Sequence, residues 1–378
     1  MNVGFVDFFS GCGGMSFGFH ALAQKDTRVK WLGAFDNNKH ANKTYFKNFG
    51  YQPCSVDLGK AEAFKEIKKH MRGNGWLPEE KLIVIGCAPC QGFSAHRKKD
   101  KRKDARNSLV GRFAEIAVKL NPSIIVMENV PDLLAEKHFM HFEVFKKTVE
   151  SANYRIGADI LNMAEYGVPQ ERYRALVIAS KIAKPSFPRA SFSRSKFKTV
   201  REAIGELPRL RPEGGRDPFD PMHRTSNHRK STIEIIKQIP LDGGSRPRGV
   251  GPKCLDGVAG FYDVYGRLAW NKPAITITAR CRTPSCGRFL HPEQHRGLSI
   301  REAALLQGFP KDFIFEGPFD DCYKQIGNAV PPTFSLKLAK HLVECLKGSS
   351  QKGRDHYQNI KGPTFKSFSA FIAHNKNK

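Results

Sequence analysis

Between residues 3 and 180 the chain alternates short apolar runs with stretches of helical periodicity, and few architectures accommodate that pattern. Val3-Gly4-Phe5-Val6-Asp7-Phe8-Phe9 reads as a buried strand, followed by a glycine turn and a helix over 15–23. Lys30-Trp31-Leu32-Gly33-Ala34-Phe35 is a second strand, with a helical stretch over 39–48. Further apolar runs, bounded by turn residues, lie at 82–85, 124–127 and 174–179, with helical stretches at 61–71, 109–120 and 139–151. Strands separated by helices predict an α/β fold, a doubly wound parallel sheet with helices on both faces. In such sheets ligands bind at the carboxyl ends of the strands.

The texture changes at residue 181. Residues 181–296 are rich in Pro, Gly, Arg and Ser and hold 23 Lys and Arg against 10 Asp and Glu. Helical signals return at 298–309 and 333–346. The expected organisation is therefore a catalytic domain at 1–180, a second, irregular domain at 181–296, a return to the first at 297–346 and a basic tail at 347–378. Phe365, Phe368 and Phe371 are candidates to anchor that tail. The formal net charge is +26, which favours a polyanionic partner, nucleic acid or an acidic membrane surface. No run approaches the ~20 apolar residues of a membrane span, so no membrane association is expected and nucleic acid is the better polyanion. The strand begins at Val3, so no signal or transit peptide is expected. Nine scattered cysteines suit a reducing interior better than a disulfide framework.

Four constellations carry chemistry. Phe9-Ser10-Gly11-Cys12-Gly13-Gly14 joins a strand to a helix, and Asp36 ends the second strand, where a carboxylate can accept hydrogen bonds from a ribose diol. Together they describe a nucleoside-cofactor site, without separating NAD from S-adenosylmethionine; a tight turn and a surface Asp is the alternative. Pro89-Cys90-Gln91 follows the run at 82–85, so Cys90 falls at the ligand edge, where a thiolate is nucleophilic if nearby positive charge lowers its pKa. An inert buried cysteine, or a redox pair through Cys87-Ala88-Pro89-Cys90, is the competing reading. No further ligands sit at metal-site spacing, so no metal is expected. The basic loop at 94–106 is either a solvated run or a phosphate-gripping lid. Glu128-Asn129-Val130 ends an apolar run, where burial can raise a carboxyl pKa; a helix-start acid is the alternative. In Gln170-Glu171-Arg172-Tyr173-Arg174 the two arginines share one side of an extended chain and either stabilise an anion, hold Glu128 or are surface charge.

Taken in order, these blocks resemble the DNA cytosine-5 methyltransferase family of bacterial or phage modification methylases, from Asp7 to Leu346. Asp7 to Gly14 is similar to its first cofactor motif, Pro89-Cys90-Gln91 to its nucleophile motif, and Glu128-Asn129-Val130 and Gln170-x-Arg172-x-Arg174 to its other catalytic motifs. Arg301-Glu302-Ala303-Ala304 with Gln307-Gly308-Phe309-Pro310 is similar to the ninth motif, and Gln325 through Pro332 to the tenth. Cys87, where many relatives have Gly, and the heavy basic run after Ser94 are departures.

The resemblance implies a Rossmann-like domain that binds S-adenosylmethionine and a smaller, irregular, mostly β target-recognition domain at 181–296. It places the cofactor on Phe9, Gly11, Gly13, Asp36, Asn37, Asp57, Leu58, Asn328 and Val330. It makes Cys90, Glu128, Arg172 and Arg174 catalytic, with Arg172 orienting Glu128 and the base and Arg174 as second support. Gln91, Ser94, Asn129 and Thr276 would contact the substrate, and the loop at 94–106 would close over a flipped base. The partners implied are double-stranded DNA, contacted by a monomer in the cytoplasm, and a companion restriction endonuclease sharing the target sequence. The rival readings are an RNA (tRNA) methyltransferase on the same scaffold, a catalytically silent DNA-binding regulator, and an NAD-linked oxidoreductase. The last explains neither Pro89-Cys90-Gln91 nor the charge.

Overall fold

The computed structural model describes residues 2–89, 109–252, 254, 263–348, 360 and 362–375. The first half follows the expected alternation: β1 (Val3–Phe8), α1 (Ser16–Ala23), β2 (Val29–Phe35), α2 (Lys39–Phe49), α3 (Ala63–Gly73), β3 (Lys81–Gly86), α4 (Leu109–Leu120), β4 (Ile124–Asn129) and α5 (Phe139–Ser151). Next come β5 (Arg155–Asn162), β6 (Gln170–Glu171) and β7 (Tyr173–Ser180). β5 is not among the expected strands, because Arg155, Asp159 and Asn162 interrupt its apolar residues.

The main sheet has the order β2-β1-β3-β4-β7-β5. β1 pairs in parallel with β2 and β3, and β3 with β4. β7 lies antiparallel to both β4 and β5, so the sheet is mixed where a wholly parallel one is expected. The cause is the connection: a single 3-10 turn at Met163–Tyr166 and the two-residue β6 separate β5 from β7. A parallel crossover needs a dozen residues or more, usually a helix, so a link this short can only reverse the chain.

Side chains of each strand alternate between two cores. Val6 and Phe8 join Leu82, Val84, Phe113 and Phe145 on one face, while Val3 and Phe5 join Ile83, Ile85, Phe19 and Phe334 on the other. Burial on both faces explains why the strands read as unbroken apolar runs. Each such side chain contributes roughly 1.5–3 kcal/mol.

Beyond β7 come α6 (Val200–Ile204), α7 (Lys230–Lys237), β8 (Ala274–Ile275), α8 (Ile300–Leu306), α9 (Phe319–Asn328), α10 (Pro332–Leu346) and α11 (Phe368–Asn375). The irregular character expected of 181–296 is present, but not its β content: among the described residues its only strand is β8, paired with β6. Buried arginines replace the ladder. Arg267, fully buried, donates to the carbonyls of Ile236, Ile239, His291 and Gln294 at 2.8–3.1 Å. A guanidinium with five donors can satisfy loop carbonyls that no strand pairs. Part of this region's basic excess is therefore internal.

The segment 297–346 divides between cores. Leu298, Ile300, Phe309, Tyr323 and Ile326 pack with Val200, Leu268, Trp270 and Ile277 in a third cluster, whereas Phe334, Leu338 and Leu342 of α10 join the sheet core beside α1. α8 is fixed by a capping box, Ser299 with Glu302, and Glu302 also pairs with buried Arg296 at 2.6 Å. No helix of the described residues is long and apolar enough to cross a membrane.

Candidate active site

Strand order reverses between β1 and β3, and a cleft of about 420 Å³ opens at their carboxyl ends. Phe9 and Ser10 follow β1, Asp36 and Asn37 follow β2, Cys87, Ala88 and Pro89 follow β3, and Asn129 and Val130 close β4. Among the expected site residues, Phe9, Gly11, Asp36, Asn37, Asp57, Leu58, Glu128, Asn129, Arg172, Arg174, Asn328 and Val330 all line it. Gly13 lies in the turn without lining the cleft, and Thr276 stands apart, its hydroxyl donating to the Glu171 carbonyl at 2.9 Å. Cys90, Gln91, Ser94 and the loop at 94–106 lie outside the described residues.

The turn after β1 is left-handed at Phe9 (φ 56°), Gly11 (φ 53°) and Gly13 (φ 90°). Phe9 is the costly one, since non-glycine residues rarely adopt that conformation. Asp36 ties the turn to β2: its carboxylate accepts the Gly11 and Asn38 amides, both at 2.8 Å. Gly14 lies against the Val330 carbonyl, at a spot where a Cβ would come within 2.3 Å of that oxygen. The residues before α10 thus close over the turn.

Glu128 is buried at the end of β4, and Arg174 Nε approaches its Oε1 at 3.0 Å. Burial pushes the Glu128 carboxyl above its ordinary range, against the opposing pull of the Arg174 and Arg172 guanidiniums. The direct partner is Arg174, which corrects the expected order of the two arginines. Arg172 is almost wholly buried and donates to the carbonyls of Ile277 (2.9 Å), Gly327 (2.9 Å) and Ala329 (3.3 Å). It fastens β8 and the end of α9 to the sheet, and its charge also lowers the Glu128 carboxyl. Gln170 works beside it: its amide donates to Leu306 O and Gln307 Oε1 and accepts the Ile277 amide.

Asn129 has a geometry that its motif did not foretell. Its Nδ2 donates to the Ala88 carbonyl at 3.1 Å, and its Oδ1 accepts the Val130 amide. It therefore pins the turn that leads through Pro89 to Cys90.

The model of the C-5 cytosine-specific DNA methylase family matches residues 3–344. This chain belongs to that family. It is 32% identical to the type II methylase M.HgiDII of Herpetosiphon aurantiacus, covering 92% of this chain and 97% of the relative. It is also 32% identical to the type II methyltransferase M1.BsuMI of Bacillus subtilis, covering 90% and 80% respectively. In fold it resembles a prophage-encoded E. coli protein described as a DNA modification methyltransferase (TM-score 0.69, 22% identity, 92% of this chain and 100% of that one). The protein is a DNA cytosine-5 methyltransferase and depends on S-adenosylmethionine. The DNA reading is thereby supported over its rivals, RNA methyltransferase, silent regulator and oxidoreductase.

The cleft suits that cofactor. Asp36 stands half-buried at the strand end, its carboxyl raised by desolvation and so ready to gain a further hydroxyl donor. Ser10 Oγ and Gln325 Oε1 are buried with no partner among the described residues, and both residues line the cleft. Such groups rarely stay unpaired, which points to a polar ligand. Ser10, Gln325, Lys324 and Val56 are lining residues beyond those expected. Ser10 and Gln325 stand inside the quoted motifs, so position alone was a signal; Val56 and Lys324 carried none.

Proposed function

We propose that this methyltransferase works through a covalent bond between Cys90 and a cytosine flipped out of duplex DNA. The Glu128 carboxyl carries the reading: it is buried and paired with Arg174 at 3.0 Å, in the same cleft as the glycine turn and Pro89. Carbon 5 of cytosine is too weakly nucleophilic to take a methyl group unaided. The Cys90 thiolate adds to carbon 6, and the electrons of the 5,6 double bond move to carbon 5. Protonated Glu128 donates a hydrogen bond to N3 and offsets the charge developing on the ring. S-adenosylmethionine, when bound, supplies the methyl group to carbon 5. Loss of the carbon 5 proton to solvent restores the double bond and expels the thiolate. Arg174 orients Glu128, and Arg172 holds the frame around both.

Phe9, Gly11, Gly13, Asp36, Asn37, Asp57, Leu58, Asn328 and Val330 are the residues we assign to the cofactor, with Ser10 and Gln325 added. Asn129 is assigned to the Cys90 turn, and Gln91, Ser94 and Thr276 to DNA. Residues 181–296 read base edges while phosphate contacts supply affinity. The type II relatives support a cytoplasmic enzyme with a companion endonuclease of the same target, and we assign the DNA-bound form as a monomer.

Duplex DNA carrying 5-fluorocytosine at the target tests the adduct, since fluorine cannot leave as a proton. The wild-type enzyme should form a denaturant-resistant complex with it, and Cys90→Ser should not. Methylation by Cys90→Ser at the wild-type rate would refute the role. Bisulfite sequencing of DNA from expressing cells identifies the target needed for the substrate.

A further inference from the structure

The match to the family model stops at residue 344, yet residues 360 and 362–375 pack against the fold. Ile360 is buried in the sheet core, and Lys146 Nζ of α5 donates to its carbonyl at 3.0 Å. Thr364 donates twice to the Leu134 carbonyl, from its amide and its hydroxyl, each at 3.1 Å. Phe365 forms a parallel bridge with Ala135, and its carbonyl accepts the Glu136 amide at 3.1 Å. The rings of Phe368 and Phe371 then pack on Tyr173, with centroids at 5.6 and 6.3 Å, and Phe371 also packs on Phe365 at 5.3 Å. The three phenylalanines anchor the described part of the tail.

Where they anchor it matters more. Leu134 to Glu136 continue from the end of β4, which bears Glu128, through the 3-10 turn Pro131–Leu134. Tyr173 opens β7 and directly precedes Arg174. β4 and β7 pair side by side, Glu128 opposite Leu176 and Asn129 opposite Ala175. The tail therefore grips both chain segments whose side chains meet as the ion pair of the site. None of its described residues lines the cleft.

We propose that residues 362–375 form a C-terminal strap that positions Glu128 against Arg174, so that a segment beyond the family's matched span sets the geometry of its catalytic carboxyl. The strap acts through other residues and touches no substrate. A cover for the core edge would contribute stability alone; a positioning strap also governs the rate of the chemical step and its pH dependence. Among the described residues, Arg174 and Arg172 are the charged groups acting on Glu128. If the strap loosens, Arg174 withdraws, its downward pull on the Glu128 carboxyl weakens, and the alkaline fall in activity moves to higher pH.

The test uses full-length Phe368→Ala/Phe371→Ala on duplex DNA, with single-turnover rates across pH and cofactor affinity by calorimetry. Displacing a catalytic group by an ångström costs up to ~100-fold in rate, so a loss of at least about tenfold is expected. The alkaline limb should shift upward, amide exchange over 131–136 should rise, and cofactor affinity should stay unchanged. Phe371→Leu should restore most of the rate. Should the double variant not fold, Thr364→Pro removes both hydrogen bonds to the Leu134 carbonyl and keeps the rings. Lower thermal stability with unchanged rate and pH limb would overturn the proposal. The inference rests on Glu128 as the proton carrier, and Glu128→Gln separates the failures. An active Glu128→Gln enzyme sinks that reading, whereas silent strap variants beside an inactive Glu128→Gln sink only the strap.

Discussion

Replacing Arg172 by methionine tests whether this arginine is a fastening or an arm of the catalytic machinery. Methionine retains most of the volume, so packing is largely kept and the polar loss is isolated. Of the three carbonyls served by Arg172, Ala329 O keeps a second donor, Gln307 Nε2 at 2.5 Å. Ile277 O and Gly327 O lose the side-chain donor that serves them. An orphaned buried acceptor costs about 1–3 kcal/mol, so the two together predict about 2–6 kcal/mol. Arg174→Met differs. Its partner Glu128 can take up a proton, and the other acceptor is the neighbouring Tyr173 carbonyl. Its cost should be near 1 kcal/mol, because the buried Glu128 carboxyl, already pushed up by burial, is left neutral rather than as an uncompensated charge. Urea denaturation of both variants, with midpoints and slopes compared, measures the difference. Single-turnover methylation should show the reverse emphasis: Arg174→Met folds well and reacts slowly, while Arg172→Met loses stability first. An Arg172→Met protein as stable as Arg174→Met would refute the assignment of Arg172 to the frame.

Three further outcomes follow from the same geometry. Arg174→Gln removes a positive charge that lowers the Glu128 carboxyl, so its pKa should rise further and the alkaline limb of the rate should move to higher pH; an unmoved limb argues against Glu128 as the titrating group. Asp7 is buried and raised to about 8, so in the folded state it stays protonated where the unfolded chain ionises. Stability from this group is present below pH about 4 and is lost as pH rises toward 8, at up to ~1.4 kcal/mol per unit; Asp7→Asn should flatten that slope in chemical denaturation. Gly14→Ala places a methyl group against the Val330 carbonyl and should weaken cofactor binding by about tenfold, or ~1.4 kcal/mol, in calorimetry.

What the chain disclosed in advance depended on how local each cause was. β1, β2, β3 and β4 were legible because both faces of each strand are buried, which leaves an unbroken apolar run in the sequence. α4 and α5 match their expected spans for a related reason, since each presents a continuous apolar stripe to one core. β5 carries no such signal because Arg155 and Asp159 lie on its partly exposed stretches. The direction of β7 depends on a connection length, and the β content of 181–296 on whether loop carbonyls find partners elsewhere. They find Arg267, a residue that in the sequence looks like any other basic charge.

The two arginines of Gln170-x-Arg172-x-Arg174 show the same limit at the site. Spacing put them on one side of the strand, and both do line the cleft. Spacing could not say which one meets Glu128, because that depends on what else surrounds each. The ends of β8 and α9 bring three carbonyls to Arg172, residues far away in the chain, and leave Arg174 the carboxyl. A motif therefore names the groups that a reaction needs, while long-range packing divides the work among them. The C-terminal strap extends that argument. It lies beyond the family's matched span, yet Thr364, Phe365, Phe368 and Phe371 bear on the two segments that hold the ion pair. The chemistry of such an enzyme need not be positioned by the family's matched span alone; chain beyond it can take over part of that work where it packs on the strands that carry the reacting groups.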